Sequence, residues 1–509
     1  MTDLDPGPKA KPFAPSAQQA VFFDWIVNGT GSALVRAVAG AGKTTTLIKG
    51  LELMTGTIFF GAYNKKIATE IQERAPQKAG LFISTMHAAG LRAWRRAAPD
   101  VKIDDNKCRN IFRDACVRHP QYTPFEGAVL SLVSYAKQAA FGVGATSLSD
   151  NNAWLNLIDH FNVDTLDEDK LCIQLAKKVM ISSFDQDHAV VDFDDMIYAP
   201  LIHRAKLFTH DWVLIDEAQD TNASRRALAL GMLKRGGRMV PVGDEHQAIY
   251  GFTGADAGAL DLIKNAVNAV DIPLTVTFRC PKAVVAVAHQ YVKHIQAHES
   301  APEGKVETIQ YQQLLGSVKT GDVILCRFNA PIIKLAFTLI AAGIPARVEG
   351  RDIGAGLKKL ASRWKSKSFD ALLENLVTYE EREVAKFRAK EQESRAVAVE
   401  DSVNCLRVVI GRVMSRGQEA QTGTPVQLVC GEIDLIFGKD DQDDKRPVVL
   451  LSTIHKSKGR EWNNVYWLQT GPSKWARKQW ELDCERNLNY VACTRAKSAL
   501  YLVEMPSGE

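Results

Sequence analysis

One glycine-rich stretch constrains the fold more than any other feature, and it reads Ala37-Val38-Ala39-Gly40-Ala41-Gly42-Lys43-Thr44-Thr45-Thr46. An apolar run at 33–35 precedes it, and a helical spacing of apolar residues over 47–54 follows it. Strand, glycine-rich turn and helix in this order are the context of a phosphate-binding loop. The backbone N–H groups and the helix N-terminus would converge on a polyanion, with Lys43 adding a positive charge. Ala37 stands where the general GxxxxGK[ST] pattern has its first glycine, so the match is to a variant.

A second stretch supplies the acidic half of a nucleoside triphosphatase site, and it reads Val213-Leu214-Ile215-Asp216-Glu217-Ala218-Gln219-Asp220. Its apolar part predicts a buried strand that delivers two carboxylates at its C-terminal end. Asp216 is placed to hold Mg²⁺, as is the hydroxyl of Thr44, and Glu217 is placed to orient and deprotonate the attacking water. The two stretches together predict a site for ATP and Mg²⁺.

The hydrophobic pattern alternates between strands and helices in two regions, which predicts α/β units built on parallel sheets. Strand patterns lie at 57–60, 81–83, 211–216, 238–244, 322–326, 344–348, 448–451, 465–468 and 500–503. Helical periodicity dominates over 91–189, with Leu155 among the positions expected to be buried, and the charged run 380–400 predicts a solvated helix. We therefore predict a mobile tail (1–15), a first α/β domain (16–90 and 190–272) with a helical insertion (91–189), and a second α/β domain (273–350 and 446–509) with an insertion (351–445).

Composition excludes several classes of protein. The formal net charge of +4 is too small to indicate nucleic-acid binding by itself, although it permits a local basic channel. Nine cysteines without a CxxC pair argue against a disulfide framework or a zinc site, and they predict a reducing cytoplasm. Since no apolar run reaches the length of a membrane span, no membrane partner is expected.

Taken with the order of the remaining motifs, these stretches resemble superfamily 1 DNA helicases of the UvrD/Rep/PcrA branch. Residues 37–45 are similar to motif I of that family, and residues 214–220 are similar to motif II. The other matching segments follow in family order: 16–19 (the glutamine motif), 63–65 (motif Ia), 84–87, 242–252 (motif III), 277–279 (motif IV), 326–329, 452–462 (motif V) and 489–496 (motif VI). The resemblance implies two RecA-like domains of the P-loop class, with accessory insertions that are short for the family.

The resemblance also implies how the adenosine end of ATP is bound. A glutamine of the first motif would read the adenine edge, and the spacing from Ser16 favours Gln19 over Gln18. Phe278 would lie against the adenine face. Glu461 would meet the ribose.

At the phosphate end, the resemblance assigns Gln247 and Arg279 to the γ-phosphate and makes Arg495 a second arginine finger. Positive charge must meet the charge that develops during phosphoryl transfer, and an arginine from a facing domain is worth about 10³–10⁵ in rate in comparable enzymes. Both arginines lie in the second α/β region, whereas Lys43, Asp216 and Glu217 lie in the first. ATP is therefore expected in the cleft between the two regions.

Sequence-independent binding of a single strand uses cationic groups for phosphates and aromatic faces for bases. The resemblance assigns this binding to Thr85, His87, Phe252, Arg327, Asn329, Thr453 and His455. These side chains suit RNA as well as DNA.

The leading functional prediction is an ATP-driven motor that moves 3′ to 5′ on single-stranded DNA, acts at single-strand/duplex junctions, unwinds duplex, and works with replication or repair proteins. One alternative is a translocase or protein-stripping motor without strand separation, and another is an ATP-gated DNA-binding module. A small-molecule phosphotransferase is disfavoured, because it gives no reason for Phe252, Arg279 and Arg495 at the family spacing.

Overall fold

The structure is a computed structural model that describes residues 13–161, 163–185, 189–249, 258–389, 393–415, 423–437, 447–470 and 479–506. Most of the predicted tail, residues 1–12, lies outside this range. The strands are β1 (Ala33–Ala37), β2 (Ile58–Ala62), β3 (Leu81–Thr85), β4 (Lys102–Ile103), β5 (Val190–Val191), β6 (His210–Ile215), β7 (Leu233–Gly243), β8 (Val270–Leu274), β9 (Val276–Thr277), β10 (Gln296–Ala297), β11 (Lys305–Gln310), β12 (Val323–Cys326), β13 (Ala346–Val348), β14 (Val449–Thr453), β15 (Trp462–Gln469) and β16 (Ala496–Glu504).

The helices alternate with these strands along most of the chain. They are α1 (Ala17–Asn28), α2 (Lys43–Leu53), α3 (Lys65–Arg74), α4 (Met86–Trp94), α5 (Lys107–Arg118), α6 (Glu126–Gln138), α7 (Asn151–Phe161), α8 (Asp169–Asp185), α9 (Asp195–Ile202), α10 (Ala223–Gly231), α11 (Ala259–Val267), α12 (Lys282–Ala288), α13 (Leu314–Ser317), α14 (Asn329–Ala341), α15 (Arg351–Ala361), α16 (Phe369–Ala389), α17 (Glu393–Ser415), α18 (Pro425–Phe437), α19 (Ile454–Ser457) and α20 (Gln479–Cys493). Within the described part of the chain, no helix is both long and apolar enough to cross a membrane.

The first large sheet has the strand order β3-β2-β6-β7-β1-β8, and every neighbouring pair is parallel. Helices cover both faces, which is why β2 is buried along its whole length and reads as continuous apolar sequence. Because the strands are parallel, the segments that follow β1, β6 and β7 all leave from the same edge. We call this sheet with α1–α4 and α9–α11 the first lobe.

The second large sheet has the order β11-β16-β15-β12-β14-β13, again with parallel pairs. We call β9–β16 with α12–α14, α19 and α20 the second lobe. The two parallel sheets confirm the predicted α/β class with two RecA-like units. One continuous buried core joins the lobes, because Tyr490 and Leu488 of α20 pack in the same cluster as Val38 and Leu47 beside the glycine-rich turn.

Helices α5–α8, which lie between β4 and β5 in the chain, form a bundle with a core of their own. The bundle is tied to the first lobe by Lys137 of α6, which is 1% exposed. Its Nζ lies 2.5 Å from Asp192 Oδ2 and 2.8 Å from Asp195 Oδ1. Trp154 of α7 is fully buried, whereas Leu155 is 37% exposed, so the expectation of a buried Leu155 was wrong by one helical position.

Helices α15–α18 pack against α14 of the second lobe and share one core with the outer face of its sheet. The run 380–400, expected to be a solvated helix, spans the end of α16 and the start of α17. These two helices pack on each other, and Val384 and Ala396 are buried, so the run has an apolar face as well as a charged one. The acidic run 440–444 lies outside the described residues.

Candidate nucleotide and nucleic-acid site

The glycine-rich turn connects β1 to α2 at the carboxyl edge of the first sheet. Gly40 and Gly42 have φ angles of +73° and +76°, a conformation that residues with a side chain rarely adopt. Gly40 also touches the second lobe, since a Cβ there would lie 2.5 Å from Thr277 Oγ1 and 2.5 Å from Arg279 Cβ. The N–H of Phe278 donates to the Gly40 carbonyl at 2.9 Å. The turn therefore supports a phosphate cradle and at the same time contacts the opposite lobe.

Other residues of the turn are held in place by direct contacts. The N–H of Ala39 donates to the hydroxyl of Tyr490 at 2.9 Å, which is a bond between the lobes. Ala41 is buried. Thr45 Oγ1 accepts a bond from Arg74 Nη2 at 2.9 Å. No side chain caps the N-terminus of α2, so the amide groups of its first turn suit a phosphate.

The lysine of the turn and the two carboxylates after β6 lie in direct contact. Lys43 Nζ donates to Glu217 Oε2 at 2.9 Å. Thr44 Oγ1 donates to Asp216 Oδ2 at 3.0 Å. Glu217 has a φ of +52°, and its Oε2 also accepts a bond from Gln219 Nε2 at 2.5 Å. The two stretches singled out in the sequence thus come together at one edge of the first sheet.

The two carboxylates have opposite electrostatic environments. Burial, together with the negative charge of Glu217, raises the pKa of Asp216 to about 6. Burial also disfavours the charged form of Glu217, but Lys43 and Lys458 outweigh it and lower the pKa of Glu217 to about 2. Glu217 is therefore ionised at neutral pH, as a general base must be.

The oxygen atoms around Thr44 and Asp216 fit Mg²⁺. Magnesium in nucleotide sites is usually held by one or two protein oxygens, with substrate phosphates and water completing an octahedron. A hydroxyl bonded to a carboxylate at 3.0 Å, beside an uncapped helix N-terminus, offers such a pair of ligands. The raised pKa of Asp216 fits as well, because a buried carboxylate whose charged form is disfavoured gains most from a cation.

Gln247 and Arg495 meet across the cleft. Gln247 lies after β7, in a short turn in which its Nε2 donates to Asp244 Oδ2 at 2.6 Å. Its Oε1 accepts a bond from Nη2 of Arg495 at 3.3 Å. Arg495 is buried, and burial lowers its pKa to about 10, so it remains charged at neutral pH. Its other donors bind the carbonyls of Val491 and Arg460.

Arg279 lies beside the phosphate loop and next to the predicted ribose contact. Its Nε donates to Glu461 Oε2 at 2.5 Å, and its Nη1 donates to the Thr494 carbonyl at 3.4 Å. The neighbouring Phe278 is 47% exposed, with its ring 4.9 Å from that of His298. An exposed ring adjoining the phosphate loop is available to stack on a base.

Both candidate glutamines hold structural hydrogen bonds. Gln19 is buried, donates to Thr46 Oγ1 at 2.8 Å and caps α1 by accepting from the Ser16 N–H at 2.9 Å. Gln18 donates to Thr275 Oγ1 and accepts from the Thr275 N–H, each at 2.8 Å. Gln19 is the closer of the two to the phosphate loop, since its Nε2 would lie 3.6 Å from a Cβ at Gly42.

In the first lobe, two of the predicted nucleic-acid contacts lie at the start of α4. Thr85 caps the helix, its Oγ1 accepting from the Ala88 N–H at 3.2 Å. His87 stacks on Phe193, with ring centroids 4.0 Å apart and planes at 26°. Burial, helped by the charge of Arg225, lowers the pKa of His87 to about 4. The neutral histidine therefore offers a ring face and no charge for phosphate.

In the second lobe, Arg327 and Asn329 are engaged by acidic neighbours. Arg327 Nε donates to Glu485 Oε1 at 2.9 Å. Asn329 Nδ2 donates to Asp401 Oδ2 at 2.9 Å, and the same carboxylate accepts from the Asn329 N–H. Asp401 belongs to α17, so the structure connects Asn329 to the second insertion.

Two of the remaining nucleic-acid candidates, Thr453 and His455, lie at α19. Thr453 caps this short helix, and its Oγ1 accepts from the Lys456 N–H at 3.4 Å. Burial lowers the pKa of His455 to about 3, with Arg327 contributing, so this histidine is also neutral. Phe252 lies outside the described residues.

Three residues at the site had no role assigned from the sequence. Tyr490 and Lys458 reach from the second lobe to the first, and Phe193 pairs with His87. Tyr490 and Lys458 lie in segments that are similar to family motifs. However, a contact between the two lobes produces no periodic pattern in the sequence from which it could be predicted. Phe193 had one available signal, an aromatic residue among acidic ones in Asp192-Phe193-Asp194-Asp195.

Two family models match the chain. The UvrD/REP helicase N-terminal domain matches residues 23–268, and the UvrD-like helicase C-terminal domain matches residues 353–506. Together they cover the phosphate loop, both carboxylates and the segment that carries Arg495.

Curated relatives agree with the family models. A probable DNA helicase II homolog of Mycoplasma pneumoniae is 25% identical over 308 residues, covering 55% of this chain and 42% of its own. F-box DNA helicase protein 1 of Schizosaccharomyces pombe is 24% identical over 540 residues, covering 96% of this chain and 57% of its own. The ATP-dependent DNA helicase PcrA of Bacillus subtilis is 21% identical over 616 residues, covering 93% and 80%. The chain thus spans about half the length of the first two relatives, and by the family models and the site it belongs to the UvrD-like family of superfamily 1 helicases.

Proposed function

We propose that this chain is an ATP-driven motor that moves 3′ to 5′ along single-stranded DNA and separates duplex DNA. The observation that carries the proposal is the position of Arg279 and Arg495, which the second lobe presents to the phosphate loop and to Gln247 of the first. DNA as the substrate is supported by the names of the relatives, which are DNA helicases. The direction of movement follows from the family resemblance.

In the proposed hydrolysis step, Lys43 leaves Glu217 and pairs with the phosphates of ATP. Glu217 is then free to accept the proton of the attacking water. Arg279, Arg495 and Gln247 meet the charge that develops on the γ-phosphate. Mg²⁺, held by Thr44 and Asp216, would neutralise charge on the phosphates.

The same geometry supports a stepping motion. Because the cleft is lined by both lobes, binding of ATP favours their closure and loss of the γ-phosphate weakens it. A strand bound near Thr85 and His87 in the first lobe, and near Thr453 and His455 in the second, would be drawn along as the lobes close and open.

We propose that the moving bodies are the two α/β domains delimited from the sequence, 16–90 with 190–272 and 273–350 with 446–509, each with its insertion. We further propose a cytoplasmic setting, with single-strand/duplex junctions as substrates and replication or repair proteins as partners. The nine cysteines, all free thiols, suit that setting.

The first test is ATP turnover without nucleic acid, with single-stranded DNA and with single-stranded RNA. Strong stimulation by DNA is expected, and the absence of stimulation by either strand would refute a nucleic-acid motor. Displacement of a labelled strand from duplexes with a 3′ or a 5′ tail comes second, with activity expected on the 3′ tail alone. Stimulated turnover without displacement would favour the translocase or protein-stripping alternative, and a translocation assay would separate that from a binding module.

A further inference from the structure

Lys458 joins the lobes at the catalytic edge of the first sheet. It follows α19 in the second lobe, and its Nζ donates to Asp220 Oδ2 and to the carbonyl of Gln247, each at 2.6 Å. The side chain of Lys458 is 8% exposed and that of Asp220 is 2% exposed. One ammonium group thus holds two segments of the first lobe, one beside Glu217 and one carrying Gln247.

A buried ion pair is not by itself a sign of function, since removing two charges from water costs about as much as their attraction returns. The position of this pair is what argues for a role. Asp220 lies one turn after Glu217, and its Oδ1 is buried with no hydrogen-bond partner. Because one oxygen of this carboxylate has no hydrogen bond, the charge of Asp220 depends on Lys458 for its stabilisation. Lys458 reaches Asp220 only while the lobes are together.

We propose that Lys458 is a positioning residue that fixes the turn 217–220 and Gln247 in place only while the lobes are closed. This inference rests on the proposed function and deepens it, because it identifies how hydrolysis is restricted to the closed state. With the lobes apart, Asp220 would lose its ion pair and the carbonyl of Gln247 would lose its donor, so both segments would be held less firmly. With the lobes together, Lys458 neutralises Asp220 and fixes the turn that carries Glu217.

The contacts of Gln247 are consistent with that role. The carbonyl of Gln247 accepts from Lys458 Nζ at 2.6 Å, and its side-chain Oε1 accepts from Arg495 Nη2 at 3.3 Å. The second lobe therefore holds both the main chain and the side chain of Gln247, and separation of the lobes would release both.

The test compares Lys458→Met with Lys458→Arg in the full chain, measuring kcat and KM for ATP with a single-stranded oligo(dT). For Lys458→Met we expect kcat to fall about ten- to hundredfold, with KM changed much less. Lys458→Arg keeps the positive charge and the hydrogen-bond donors, so it should restore most of the wild-type kcat.

The matched control is Asn487→Ala. Asn487 of α20 also bonds across the cleft, its Nδ2 donating to the carbonyls of Ala248 at 3.0 Å and Glu245 at 3.3 Å, but it carries no charge. Loss of that bond leaves Asp220 and the carbonyl of Gln247 held by Lys458, so kcat should fall far less than in Lys458→Met. An equal loss of kcat in Asn487→Ala and Lys458→Met, or no loss in either, would overturn the role of Lys458.

A second variant keeps the test decisive if Lys458→Met does not fold. Asp220→Asn removes the ion pair and leaves Lys458 bonded to the carbonyl of Gln247, so kcat should fall while KM changes much less. Wild-type kcat in Asp220→Asn would contradict the inference. Wild-type turnover without DNA stimulation would refute the proposed function itself, whereas stimulated turnover with unchanged Lys458 variants would refute the positioning role alone.

Discussion

Lys43 Nζ lies 2.9 Å from Glu217 Oε2, so the phosphate-binding lysine and the candidate general base neutralise each other across the site. Burial disfavours the charge of Lys43, but the carboxylates of Glu217, Asp244 and Asp216 outweigh burial and raise its pKa. A triphosphate entering the turn competes with Glu217 for the lysine. In the proposed mechanism, ATP binding would therefore release Glu217 to act as the base.

We expect Lys43→Ala to abolish ATP turnover and to leave the fold intact, because the cradle loses its one lysine while Glu217 keeps its bond from Gln219. Turnover and thermal melting measure the two effects. Lys49→Ala is the matched control, since Lys49 lies on the same helix and pairs with Glu52 at the surface. ATP turnover at the wild-type rate in Lys43→Ala would refute the assignment of the glycine-rich turn as the ATP site.

Asp216 and Glu217 should affect stability in opposite directions. The raised pKa of Asp216 means that the nucleotide-free fold loses stability as pH rises through about 6, so Asp216→Asn should stabilise it at pH 7.5 and not at pH 4. The lowered pKa of Glu217 means that its charge stabilises the fold at neutral pH, so Glu217→Gln should destabilise it there. Each effect is on the order of 2 kcal/mol.

Thermal melting of the two carboxylate variants at both pH values checks this prediction. Turnover should be lost in both, so a stabilised but inactive Asp216→Asn would show that function maintains an unfavourable charge. Destabilisation by Asp216→Asn at pH 7.5 would contradict the electrostatic description of the site.

Arg495→Ala should slow hydrolysis by about 10³-fold or more while ATP affinity changes far less, because the guanidinium meets charge that develops in the transition state. Nucleotide titration beside turnover separates the two quantities. Arg495→Lys keeps the charge but lacks the fork that binds Gln247, Val491 and Arg460, so partial activity is expected. A loss of affinity as large as the loss of rate would argue for a binding role instead.

Phe193→Ala should weaken binding of single-stranded DNA, because its ring is 54% exposed and stacked on His87 at the start of α4. Base stacking on an aromatic side chain is worth about 1–3 kcal/mol, or roughly 5- to 150-fold in affinity. Fluorescence anisotropy with a labelled oligonucleotide measures the change. Phe82→Ala is the control, since Phe82 is an exposed ring near the opposite end of β3, beneath Arg92. An equal loss in both variants would exclude a specific stacking site.

The local parts of the site could be predicted from the sequence, because the residues that form each part are close together in the chain. The turn around Gly40 and the carboxylates after β6 each need a strand, a fixed spacing and particular side chains. The alternation of strand and helix patterns along the chain was sufficient to predict the α/β class, since parallel strands that are buried on both faces appear in the sequence as short apolar runs.

Contacts that depend on packing between distant elements could not be predicted in this way. Helical periodicity indicated a bundle over 91–189, but choosing Trp154 over Leu155 as the buried residue required knowing on which side the neighbouring helices pack. Lys458 and Tyr490 likewise reveal their partners only once the two sheets face each other.

Lys137 has a mechanical consequence for the proposed motor. Its ammonium group is enclosed between helix α6 and the carboxylates of Asp192 and Asp195, so pulling the bundle away would leave several charges without water or counter-ion. If the lobes close and open as proposed, the α5–α8 bundle should therefore move with the first lobe as one rigid body. A nucleic-acid strand bound to the bundle would then be displaced as far as the first lobe itself.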